Sequence, residues 1–164
     1  MTVLAKGASE IGGPFELRAY TSDESAAQPA GLPCLQLVLL SPPAGSPIDA
    51  SGFCGELKEG FGAVSLPVVD PSGDAEVLIF GLTPERTADV RLTDDGGQVS
   101  RASTYQAPSS FTRGDVFVMV TRREATGGTL QALDADGRDV APARNADGFF
   151  DRLRAMQRIG AGRR

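Results

Sequence analysis

Phe15-Glu16-Leu17-Arg18-Ala19-Tyr20-Thr21 alternates apolar and polar residues without a break. Successive side chains of a strand point to opposite faces, so Phe15, Leu17 and Ala19 share a buried face and the residues between them a wet one. Working outward, Leu35, Leu37 and Leu39 repeat that spacing within residues 34–40, where Val38 and Leu40 make the second face apolar too. Asp115-Val116-Phe117-Val118-Met119-Val120-Thr121 is apolar on both faces, which predicts the most buried strand. Residues 61–69, 75–82 and 130–134 read as further strands. Between such runs lie Asp70-Pro71-Ser72-Gly73, Asp94-Asp95-Gly96-Gly97 and Asp134-Ala135-Asp136-Gly137. Each puts Asp first and Gly fourth, the order a type I turn prefers. Three such turns in a short chain leave no room for crossover helices. The expected fold is therefore all-β, an antiparallel two-sheet sandwich (Ig-like or related) of roughly seven to nine strands. Its expected core is Phe15, Leu17, Leu35, Leu37, Leu39, Val64, Leu66, Val77, Ile79, Val90, Leu92, Val116, Val118, Val120, Leu130 and Leu133.

Only the end of the chain changes period. Phe149, Leu153 and Met156, with Phe150 beside them, form an apolar stripe at helical spacing between Asp147 as N-cap and Gly160 as stop. The expected organisation is a β domain over residues 1–143 and a basic amphipathic helix with its tail over 144–164. That tail holds Arg144, Arg152, Arg154, Arg158, Arg163 and Arg164 against Asp147 and Asp151, a local charge of +4 in a chain of −5. A helix of about three turns is marginal alone in water, so its stripe must land on something. Docking on the chain's own β domain, a partner protein's groove and an anionic membrane surface are the three readings. Phe149, Leu153, Met156, Arg152, Arg154 and Arg158 are the candidate interaction residues.

Composition removes several functions. The chain has no His, which excludes the Ser-His-Asp triad, the Cys-His dyad and the His-based zinc sites. Its net negative charge argues against nucleic acid, whose phosphates require a basic surface. Lys6 and Lys58, the only lysines, stand outside any Ser-x-x-Lys setting, so no serine has an activating base. Gly12-Gly13 and Gly127-Gly128 precede strands, which implies no phosphate loop. A carboxylate-pair hydrolase remains as an alternative, although aromatics are few and Trp is absent. Asp134, Asp136 and Asp139 suggest a second alternative, a calcium-stabilised structural domain. Yet Asp139 stands where the EF-hand pattern requires Gly, and an acidic turn explains the cluster equally well. Asp70, Asp74 and Glu76 form a weaker cluster of the same kind. No cofactor is called for, and the chain is not read as an enzyme.

Cys34 and Cys54 flank a segment, residues 41–53, that is rich in Gly, Pro and Ser and is expected to form no regular element. Such a segment gains from being pinned at its ends, roughly 3 kcal/mol for a loop of this size. The alternative is two unrelated buried thiols. No run reaches the length of a membrane span, and the first residues lack the charged and apolar regions of a signal peptide. If Met1 is the native start, the expected compartment is the cytoplasm. The cysteine pair leans toward an extracytoplasmic setting with the targeting segment removed.

The order Gly12-Gly13-Pro14-Phe15, Cys34-Leu35, Gly52-Phe53-Cys54-Gly55, Val77-Leu78-Ile79-Phe80-Gly81-Leu82, Val90-Arg91-Leu92 and Ala132-Leu133-Asp134-Ala135-Asp136-Gly137-Arg138 carries a resemblance. Over residues 12–140 the chain resembles a family of small β-sandwich domains from GC-rich Gram-positive bacteria, often extracytoplasmic and with no assigned function. That resemblance implies the fold and a Cys34–Cys54 bridge, and it implies no activity. Together with the residues it points to a non-catalytic binding or interaction module, with a protein partner reached through the C-terminal helix.

Overall fold

The structure, a computed structural model, describes residues 1–23, 30–46, 48–55, 61–109, 114–122 and 124–161, with the side chains of 159–161 outside the description. Lys58, Arg163 and Arg164 lie outside the described residues. The strands are β1 (Thr2–Ser9), β2 (Gly13–Thr21), β3 (Pro33–Leu39), β4 (Ala50–Cys54), β5 (Gly62–Val69), β6 (Ala75–Leu82), β7 (Asp89–Asp94), β8 (Val99–Arg101), β9 (Ser103–Gln106), β10 (Asp115–Val120), β11 (Gly128–Leu133) and β12 (Arg144–Asn145). A 3₁₀ turn (Asp147–Phe150) leads into the helix α1 (Asp151–Ala161). Among the described residues the protein is all-β with one C-terminal helix, and every strand pair is antiparallel.

The strands form three four-stranded sheets, where two were expected: β1-β2-β3-β4, β5-β6-β10-β9 and β12-β11-β7-β8. The second sheet lies between the other two, as its side chains show. Leu78, Phe80, Leu82, Val116 and Val118 pack with Phe15, Leu17, Leu35 and Leu37 of the first sheet. Val77, Ile79, Phe117 and Met119 pack with Val90, Leu92 and Leu130 of the third. A strand covered on both sides loses its polar alternation. Every residue of β6 is accordingly buried, as are the four central residues of β10. The expected core is buried except at two positions: Val64 on β5 is half-buried and Val120, the last residue of β10, is 36% exposed.

Turn chemistry sets the hairpins. In each of the three Asp-x-x-Gly turns the first Asp accepts a backbone bond from the fourth residue, whose φ is positive at Gly73, Gly97 and Gly137. That conformation favours Gly. The Asp side chain then accepts from the backbone N–H groups two and four residues on, at 2.9 and 3.0 Å in all three. Cys34 and Cys54 are direct cross-strand partners on β3 and β4 and form a disulfide, with Cα atoms 4.1 Å apart. The end of the segment expected to be irregular is thus a strand, because pairing with β3 orders residues 50–53. On the other side of the molecule Ala102 alone separates β8 of the third sheet from β9 of the second. Its N–H donates to Val90 O at 2.9 Å where the chain turns the corner.

The C-terminal segment differs from its expected layout. Arg144 and Asn145 belong to the third sheet, paired with Leu130 and Thr129. Asp147 is not a side-chain N-cap: its Oδ1 accepts from Gly128 N at 3.1 Å, so it ties the turn to the sheet instead of closing the helix. Gly160 does not end the helix, which runs to Ala161. Phe150 and Leu153 are buried in the core between the second and third sheets, 1% and 6% exposed. The stripe thus docks on the chain's own β domain. None of the described helices is long and apolar enough to cross a membrane.

Candidate functional site

β4, β5 and β12 are each the edge strand of a different sheet, and all three border one cleft. The chain continues from β12 straight into the 3₁₀ turn and α1, which also border the cleft. The cleft holds about 360 Å³, within the range of small-molecule sites. Ser51 and Gly52 come from β4, Ala63, Val64 and Ser65 from β5, and Arg144 and Asn145 from β12. Gly148, Phe149 and Arg152 complete the wall.

Arg144 is held in place before any ligand arrives. Its Nη1 donates to Phe61 O at 2.7 Å, and its guanidinium lies 5.7 Å from the centre of the Phe149 ring. A cation over an aromatic face is attracted by the ring's quadrupole, about 0.5–2 kcal/mol depending on solvent. The Phe61 ring is itself fixed against Phe117, centroids 5.6 Å apart, so this contact joins the edge of the third sheet to the core of the second. Asn145 is oriented by the backbone two residues on, with Oδ1 accepting from Asp147 N at 2.9 Å. Its side-chain NH₂ is the part left to donate. Arg152 is exposed and has no ion-pair partner among the described residues. No Asp or Glu is among the described residues lining the cleft.

The interaction residues expected from the helix are thus divided among several jobs. Leu153 is core. Arg154 is engaged within its own chain, donating to Thr126 O at 2.8 Å and Asp147 O at 2.9 Å and pairing with Asp151. Met156 is half-buried and Arg158 exposed, and neither lines the cleft. Phe149 and Arg152 do. Sequence reading missed Ser51, Ser65 and Asn145, which carry no motif and meet only through folding. Arg144 had signalled itself as the first cation of the Arg-rich end.

The acidic clusters stay apart. Asp134 is occupied by its turn, while Asp139 accepts from Gln131 Nε2 at 3.2 Å. Asp70 serves its own turn, where the Ser72 hydroxyl first, then the N–H groups of Asp74, Ser72 and Gly73, hold its carboxyl below the ordinary value. Glu76 faces the first sheet and is 3% exposed. Its Oε1 accepts from Ile11 N at 3.1 Å and Gly12 N at 2.8 Å. No group of three or more Cys, Asp or Glu side chains able to hold a metal ion forms among the described residues. Comparison with known proteins finds no matching family model, no similar curated protein and no similar solved structure.

Proposed function

We propose that this protein is a non-catalytic binding module that works outside the cytoplasm and seats its ligand in the cleft between β4, β5, β12 and the start of α1. One observation carries the reading: side chains from the edges of all three sheets and from the helix converge on one cavity. The described wall supplies hydrogen-bonding groups and an aromatic ring, but no carboxylate, thiol or amine to act as base or nucleophile. Proteins place small-molecule sites in concavities of this size, largely preformed. The Cys34–Cys54 bridge supports an oxidising compartment, in keeping with the extracytoplasmic β domains that the sequence resembles.

A thermal-shift panel of sugars, carboxylates, phosphate esters and divalent cations, run on the wild type and on Ser65→Trp, tests the reading. Ser65 lines the cleft from a half-buried position, so an indole there fills the cavity. A ligand at a hundred times its dissociation constant stabilises the native state by about 2.7 kcal/mol. The expected result is a compound that raises Tm in the wild type and not in Ser65→Trp. A panel without effect, or one acting equally on both proteins, overturns the proposal.

A further inference from the structure

Resting on the cleft as the ligand seat, we infer that its ligand carries a phosphate monoester. The argument is a balance of donors and acceptors among the side chains in the wall. Arg144 and Arg152 supply two permanent positive charges, and guanidinium forks match the oxygens of phosphate. Asn145 has its NH₂ left to donate, because Oδ1 already accepts from Asp147 N–H. The hydroxyls of Ser51 on β4 and Ser65 on β5 can donate as well as accept. The Arg and Asn groups of this wall donate and no described side chain in it is negative, so its complement is a ligand with several acceptor oxygens and negative charge.

Two cations with no ion-pair partner among the described residues match a dianion better than a monoanion. A phosphate monoester carries about −1.5 to −2 at pH 7 and three acceptor oxygens, whereas a carboxylate carries one charge and two oxygens. Because Arg144 is already restrained by Phe61 O and the Phe149 ring, little of its freedom is lost on binding. Ala63, Val64 and the Phe149 ring give the site an apolar floor for the organic part of the ester.

Isothermal titration with phenyl phosphate is the test. Arg152 has no partner to lose among the described residues, so Arg152→Gln keeps the fold and should weaken binding at least about tenfold, as removal of a charged hydrogen-bond donor does. Arg158→Gln makes the same charge change outside the cleft and should leave affinity within about twofold, since exposed charges are largely screened. Affinity should rise between pH 5 and 7, as the ester's second proton is lost near pH 6. No binding of phenyl phosphate, or equal weakening by Arg152→Gln and Arg158→Gln, overturns the inference. If a neutral compound then still stabilises the wild type and not Ser65→Trp, the cleft reading survives without its phosphate. The group could arrive free or on a lipid. Flotation with phosphatidylcholine vesicles containing phosphatidic acid distinguishes these: capture lost in Arg152→Gln assigns a headgroup, and binding of the soluble ester alone assigns a small molecule.

Discussion

Replacing Glu76 with Ala should unfold the protein more readily than any exposed acidic substitution. The side chain is 3% exposed on β6, and one oxygen accepts from Ile11 N and Gly12 N in the turn between β1 and β2. Gly12 N also lies 3.0 Å from Ser9 Oγ, so it keeps one acceptor, while Ile11 N loses its own. One charge-assisted bond lost outright, a second weakened and a small void left behind together cost about 2–4 kcal/mol. In a domain of this size that lowers Tm by about 4–16 °C. Nor can the turn close up by adding bulk. A Cβ on Gly12 would stand 2.7 Å from Ser9 Oγ and 3.2 Å from Leu39 Cδ2. Glu76→Gln retains an acceptor oxygen and should cost about 1 kcal/mol. Urea denaturation with the disulfide intact measures both, and hydrogen exchange should quicken at the amides of Ile11 and Gly12 in the Ala variant. Glu124→Ala is the reference: that side chain is 83% exposed in a surface pair with Arg122, a contact of about 0–1 kcal/mol. Should Glu76→Ala prove as mild as Glu124→Ala, the carboxylate does not hold the hairpin.

Leu153→Ala should cost about 2–5 kcal/mol, and removal of residues 147–164 more, because Phe150 leaves the core as well; a truncated protein as stable in urea as the full chain would refute the docked helix. Alkylation followed by intact-mass measurement should add no label without reductant and two after reduction, which should also lower stability by roughly 3 kcal/mol; two labels on the unreduced protein would contradict the bridge. Arg18 first and Lys6 second, through hydrogen bonds, hold the Glu16 carboxyl below its ordinary 4.5. A lowered native value contributes stability above pH 4.5 that is lost as pH falls through it, so Glu16→Gln should narrow the Tm difference between pH 6 and pH 3; an unchanged difference would refute the linkage.

Local rules written in consecutive residues were legible in advance. The alternation at residues 15–21, the three Asp-x-x-Gly turns, the cysteine pair and the final helix all appear in the structure. The number of layers was not. Periodicity tells which faces of a strand are apolar and is silent about what covers them, so the two-faced strands β6 and β10 fit two sheets as readily as three. β1 escaped notice because Ala5 and Ser9 are its only buried residues, too small to mark an apolar face. β8 and β9 are short, polar edge strands, carried by their pairing to β7 and β10 and not by hydrophobic pattern. The cleft was the least visible feature. Its polar groups come from residues 51, 65, 144, 145 and 152, and no local spacing links edges of separate sheets.

Whether those edges form one ligand seat is most directly read from amide chemical shifts during a titration with phenyl phosphate. The shifts should gather at Ser51, Ser65, Asn145, Gly148, Phe149 and Arg152, the residues of three sheets and a helix responding together. Shifts gathered instead on the strands around Arg91 and Arg101 would contradict the cleft as the place where this protein binds, and no shifts at all would remove the phosphate ester as its ligand.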